Sequence, residues 1–279
     1  MQDAFAYCME LVRNADRDRY LATLFAPAEH RNALYALYAF NVEIVRVREA
    51  AREPMPGEIR LQWWREVVSG ERDGEAGANP VAAALLDAIA RYRLPASTLT
   101  GVIEAHRFDL YDEPMATTAE LENYARRTSS AVIDLAAQIL GARAPAVAEP
   151  AGIALAIVDL LRALPLHVAR HQLYVPVELL QRHGVTPEAV FARQSSDGLN
   201  AALAELQDLA WQYLAAVRQA LPSLPPQALS AVLPVALVRP SLNRLQRSDA
   251  FAPREVPSWW RQWLIWRAAR NPARIAAQG

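Results

Sequence analysis

The chain has 279 residues, 53% of them hydrophobic, and a formal net charge of −1. That apolar content excludes a disordered chain, and the balanced charge excludes the global basic field that nucleic-acid binders use. The single cysteine, Cys8, excludes an internal disulfide and a Cys-based zinc site.

Nineteen prolines fall mostly between apolar-periodic segments, where helices start and stop. In chain order the intervals predict amphipathic helices over residues 4–14, 28–50, 58–69, 80–92 and 96–111. They continue over 118–140, 146–170, 187–191, 200–221, 225–246 and 256–270. Thr117 and Glu120 stand at capping-box spacing and mark the start of the 118–140 segment. Residues 172–178 alternate like a strand, but one such segment cannot make a sheet. Cys8 lies in an apolar stretch and is expected to be a small core residue. The longest apolar runs, around 151–158 and 228–238, fall short of the roughly 18–20 residues that span a bilayer. Residues 1–5 lack a basic, apolar leader pattern, so no secretory signal is expected. With no composition break and no repeat of 20–50 residues, the expectation is all-α. It is a single large helical bundle over residues 1–279, carrying a Trp/Arg-rich C-terminal helix at about 256–270.

Several segments, taken together, carry a family resemblance. Tyr20-Leu21-Ala22-Thr23-Leu24-Phe25-Ala26-Pro27, followed by Ala33-Leu34-Tyr35-Ala36-Leu37-Tyr38-Ala39-Phe40, resembles the opening helices of the squalene/phytoene synthases. Phe108-Asp109-Leu110, then Leu121-Glu122-Asn123-Tyr124, resembles that family's central Asp-Leu and Leu-x-x-Tyr elements. The 152–162 segment leading to Tyr174-Val175-Pro176 resembles its second aspartate motif and exit turn. The resemblance implies an isoprenoid-synthase-type bundle with a central cavity.

It also implies a chemistry that the residues do not supply. In such synthases, aspartates on two facing helices hold Mg²⁺, which grips a prenyl diphosphate and stabilises its departure. Here positions 45, 46 and 49 are Val45, Arg46 and Glu49, while 163 and 167 are Ala163 and His167. Glu49 alone keeps a carboxylate. The Val45-Arg46-Val47-Arg48-Glu49 segment carries net +1, which repels a divalent cation. The helix ahead of the second motif is altered too, with Ala156 and Asp159.

A narrower resemblance covers the same substitutions. Phe40-Asn41-Val42-Glu43, Glu53-Pro54, Arg60-Leu61-Gln62-Trp63-Trp64 and Arg182-His183-Gly184-Val185 look like a divergent branch of the superfamily. So does Leu161-Arg162-Ala163-x-Pro165-x-His167-x-x-Arg170. That branch contains the mitochondrial assembly factor for respiratory complex I.

The polar residues read two ways. All basic residues are arginine, each a permanently charged planar fork suited to carboxylates and phosphates. Arg46 and Arg48 either clamp a diphosphate or lipid headgroup in place of metal, or form an ion-paired helix face beside Glu43 and Glu49. Asp159, Arg162, His167 and Arg170 either bind ligand or form a buried network that locks the bundle. With Glu49, Asp109, Tyr124 and Tyr174 they complete the set of candidate ligand residues. His167 and His171 stand four apart, but no acidic ligand accompanies them and Pro165 interrupts the helix, so no metal site is assigned. Trp63 and Trp64 read as packing.

In the last helix Trp259, Trp263 and Trp266 share a face, with Arg261, Arg267 and Arg270 beside them. That face is either an interfacial membrane contact or the inner face of a helix closing the core. The leading expectation is a non-catalytic, membrane-associated assembly factor for complex I, with a prenyl or lipid ligand in the cavity. No cofactor and no nucleic acid is expected. Complex subunits are candidate partners, and the location is cytoplasmic, peripheral on the inner membrane. The alternative is a prenyltransferase with altered metal ligands, and only that reading calls for Mg²⁺.

Overall fold

Helix starts in this chain are written by proline and by short polar caps. Asn79, just ahead of Pro80, accepts from the backbone N–H of Val81 at 2.9 Å and of Ala82 at 3.1 Å, opening helix Pro80–Tyr92. Thr117 accepts from Glu120 N–H at 3.2 Å. Glu120 reaches back to the N–H of Ala116 at 3.1 Å, one residue earlier than the usual reciprocal partner. Ser196 caps the longest helix, Asp197–Ala220.

The computed structural model describes residues 1–50 and 53–277. Among these, the fold is all-α, without a β-strand. The predicted 80–92 and 187–191 helices match Pro80–Tyr92 and Pro187–Phe191. Others are broken. The 28–50 segment divides into Ala28–Val45 and Val47–Ala50. The break falls where β-branched Val42, Ile44, Val45 and Val47 lower helix propensity. The 146–170 segment divides at Ala163 into Pro145–Arg162 and Leu164–Ala169, because Pro165 has no N–H to continue the first helix and suits the start of the second. The 118–140 segment runs Thr118–Ala125, then a π-helical turn at Arg126–Ser130, then Ala131–Ile139. The 225–246 segment, rich in proline, is four short pieces that end in Val238–Leu245.

Residues 172–178 are not a strand. Their extended start hydrogen-bonds to 115–116, with Met115 N–H donating to Leu173 O at 2.9 Å and Val177 N–H to Met115 O at 2.9 Å. From Val177 the chain turns into helix Val177–Arg182, which the alternating pattern concealed; helix Arg17–Thr23 was not among the predicted elements either.

The core gathers apolar side chains from Cys8 to Ala276. Helix Ala28–Val45 is central, since every residue from 33 to 42 is buried. Trp64 is buried edge-on to Phe40, at 5.4 Å between ring centroids, and to Trp63 at 5.0 Å. Cys8 is fully buried as expected. Burial, with a smaller push from the Glu43 charge, raises its thiol to about 12, so it is inert at neutral pH. Among the described residues no helix is long and apolar enough to cross a membrane.

Candidate functional site

The break at Arg46 and the break at Ala163 face one another. Between them lies a cavity of about 460 Å³, walled also by His106, Asp109, Tyr124 and Tyr174. All the sequence candidates of this group line it except Arg162. Arg162 points the other way. It bridges Asp159 and Glu255, at 3.1 Å each, and ties the segment before the last helix to the bundle. For Arg162 the structural network is the better description.

The inner wall is organised around Asp109, which is 8% exposed. Its carboxylate accepts from the Tyr174 hydroxyl at 2.6 Å and the Tyr124 hydroxyl at 3.0 Å, and meets His106 Nδ1 at 2.6 Å. Gln172 donates to the Asp109 carbonyl at 2.8 Å. Burial, then the charge of Asp109, raises both tyrosines well above the ordinary phenol range, so both stay protonated and donate. A carboxylate only accepts, so Nδ1 of His106 carries a proton. The buried Nε2 on the other side of that ring has no hydrogen-bond partner among the described residues.

The mouth carries the charges. Glu49 pairs with Arg170 across the opening at 3.1 Å, joining by an ion pair the two segments that resemble the aspartate motifs. Arg48 pairs with Asp112 at 3.0 Å, and Glu43 with Arg60 at 2.6 Å. Arg46 lines the cavity without an ion pair or hydrogen bond among the described residues. Of the two expected roles for Arg46 and Arg48, pairing describes Arg48, while Arg46 is available to an anion.

His167 lies over Tyr174, with ring centroids 4.6 Å apart. Burial pushes its pKa down to about 4, with the Arg170 charge helping and the Asp109 charge opposing. It is neutral at pH 7 and adds no charge for a diphosphate. Helix Leu164–Ala169 ends before His171, which adopts φ 55° and packs at 5.2 Å on Phe191. The two histidines therefore share no helical face.

The depressed His167 pKa has a pH signature. The folded value, about 4, lies below the ordinary histidine value of 6.5. The stability it contributes is full above pH 6.5 and is lost as pH falls toward 4, by roughly 2–3 kcal/mol. Urea unfolding across that window should show a shallower loss in His167→Leu than in the wild type. Parallel curves would contradict the burial of this ring.

Mg²⁺ needs a cluster of hard oxygens. Of the motif positions only Glu49 offers one, and Arg170 holds it. Asp109 is held by two tyrosines and a histidine, and Asp16 pairs with Arg19 at 2.7 Å. The residues present do not fit a bridged Mg²⁺ cluster.

Sequence reasoning missed His106, Thr128, Ser129 and Gln172, which also line the cavity. His106 and Asp109 stand three apart, a spacing that was available as a signal. Thr128 and Ser129 sit on the π-helical turn, which a period of 3.6 residues does not reveal.

The last helix, Ser258–Arg270, presents Trp259, Trp263 and Trp266 to solvent, at 72%, 43% and 47% exposure, while Ile265 and Ala268 face the core. The three indoles do not close the core. Arg267 lies over Trp263 at 4.7 Å and Arg270 over Trp266 at 5.2 Å. Arg261 turns inward to pair with Asp18, so it is not on the exposed face.

Comparison with known proteins agrees with this architecture. The squalene/phytoene synthase family model matches residues 12–263. The chain is 32% identical over 246 residues to the human NADH dehydrogenase (ubiquinone) complex I, assembly factor 6, covering 87% of this chain and 74% of that protein. It is 27% identical over 214 residues to the phytoene synthase of Thermus thermophilus, covering 74% and 71%. A dehydrosqualene synthase crystallised with a ligand superposes with a TM-score of 0.82 at 18% identity, over 97% of this chain and 96% of that one, a likeness of fold. From its cavity-centred helical bundle and the extent of these matches, the chain belongs to the squalene/phytoene synthase family.

Proposed function

We propose that this protein is a non-catalytic member of the family that acts as an assembly factor for respiratory complex I. It attaches peripherally to the inner membrane and holds a prenyl or lipid ligand in its cavity. The observation that carries the non-catalytic reading is the Glu49–Arg170 ion pair, which spans the place where two carboxylate clusters would face. The assembly role is supported by the relatives named complex I assembly factor 6 in mammals and assembly factor 6 homolog in Drosophila melanogaster and Dictyostelium discoideum. Ligand binding is supported by the cavity, by the free Arg46 at its mouth and by the unpartnered Nε2 of His106. Membrane contact is supported by the exposed indoles of the last helix, because indole favours the headgroup layer.

The test is deletion of the gene in its own host, reading NADH:ubiquinone oxidoreductase activity and assembled complex I in membranes. Loss of both, restored by the wild-type chain while succinate oxidation stays normal, is the expected result. Full complex I in the deletion strain would refute the assembly role. Mass spectrometry of the protein purified from its own membranes should find a stoichiometric lipid in the wild type and less in Arg46→Gln. A chain that elutes empty would remove the ligand.

A further inference from the structure

A second pocket, of about 500 Å³, lies between helix Val238–Leu245, helix Ser258–Arg270 and the tail that follows. Six arginines line it: Arg239, Arg244, Arg247, Arg254, Arg267 and Arg274. No aspartate or glutamate is in its wall, and none of the six forms an ion pair among the described residues. Elsewhere the arginines are commonly paired, as Arg48, Arg60, Arg107, Arg126, Arg162 and Arg170 show. A chain of net charge −1 thus gathers unpaired cations in one place.

Two of the six are fixed in position by aromatic rings. Arg244 lies over Trp260 at 5.1 Å and Arg267 over Trp263 at 4.7 Å. Arg239 donates to the Ala277 carbonyl at 2.7 Å, and Nε of Arg244 is buried without an acceptor among the described residues. Like charges held this close repel, and the geometry is stable when an anion shares them. Guanidinium forks match phosphate oxygens two at a time. The pocket's size is that of a small-molecule site, and Leu264 and Ile275 give it an apolar side. Trp260 and the exposed Trp263 also line it, so a ligand resting there has its polar end among arginines and its apolar end against these indoles.

We infer that this pocket is a phosphate site for the headgroup of an anionic phospholipid, distinct from the central cavity. The inference rests on the membrane attachment proposed above, and the two are separable by experiment. The intact protein is sedimented with vesicles of phosphatidylcholine alone and with vesicles that also contain cardiolipin. The comparison is between Arg247→Gln/Arg254→Gln/Arg274→Gln, which removes three exposed charges from the pocket, and Arg17→Gln/Arg91→Gln/Arg127→Gln, which removes three exposed charges elsewhere. Thermal unfolding confirms that both variants stay folded.

The expected result is cardiolipin-dependent binding that falls about tenfold or more in the pocket variant and changes little in the other. Equal weakening in both variants would reduce the site to diffuse electrostatics and overturn it. Wild-type binding that is equal on both vesicles keeps the attachment and overturns the pocket; Trp259→Ala/Trp266→Ala should then abolish binding on both. Saturable binding of inorganic pyrophosphate by titration calorimetry, without vesicle binding, would overturn the lipid source in favour of a free phosphate compound.

Discussion

Asp109→Ala is expected to destabilise the fold by about 3–5 kcal/mol, the range for removing one partner of a buried charged cluster. The carboxylate is 8% exposed and satisfies the hydroxyls of Tyr174 and Tyr124 and the ring of His106. Alanine removes the shared acceptor of three groups, leaving Tyr124 and His106 with each other at 3.3 Å and Tyr174 with the Gln172 amide at 3.3 Å. Each loss is worth about 1–3 kcal/mol, and the losses overlap because they share one site. Asp109→Asn keeps the shape but turns an N–H₂ toward donors, so an intermediate loss is expected. Tyr174→Phe removes one donor and leaves the carboxylate two others, and should cost about 1–2 kcal/mol. Urea unfolding monitored by tryptophan fluorescence measures all three. An Asp109→Ala variant within 1 kcal/mol of wild type would mean that water reaches this wall.

The second large effect is steric. Gly152 lies on helix Pro145–Arg162 where it crosses the π-helical turn. A Cβ there would overlap the backbone N and Cα of Ser130, whose hydroxyl donates to the Glu149 carbonyl at 2.8 Å. The clash is with main chain that is itself anchored, so it is not relieved by a rotamer change. Gly152→Ala should cost about 3 kcal/mol, the upper end of overpacking penalties, and Gly152→Val should leave little soluble protein. The same turn carries Thr128 and Ser129 into the cavity, so Gly152→Ala protein that remains folded should also retain less lipid. A Gly152→Ala protein as stable as wild type would show that the two helices can part without cost.

Much of the fold was legible because proline and polar caps are local signals. Pro80 after Asn79, and Pro187 after Thr186, give helix starts at the observed residues. The cavity was legible through the family resemblance, which implied that the segments around Glu49 and His167 face one another, as they do. What stayed hidden depends on neighbours distant in sequence. Arg162 and Arg261 face Glu255 and Asp18, which periodicity does not locate. The π-helical turn, which shifts Thr128 and Ser129 to the cavity side, leaves no mark in a 3.6-residue repeat. The arginine pocket is assembled from residues between 236 and 277 on three separate segments. The tryptophan face was legible as a stripe, but whether it looked inward or outward was a tertiary question. The 43–72% exposure of its indoles answers it.

The most direct test of a non-catalytic cavity is release of diphosphate from farnesyl or geranylgeranyl diphosphate in the presence of Mg²⁺, with the Thermus thermophilus phytoene synthase as the positive control. Glu49 is engaged by Arg170, and positions 45, 46, 163 and 167 carry no further carboxylate. The cavity's Asp16, Asp109 and Asp159 are engaged by Arg19, by two tyrosines and a histidine, and by Arg162. No free carboxylate cluster would hold the metal, and release should equal that of a control without protein. Glu49→Ala and Arg170→Ala should give the same background. Mg²⁺-dependent release above that control, abolished by either substitution, would contradict the account and make the chain a prenyltransferase.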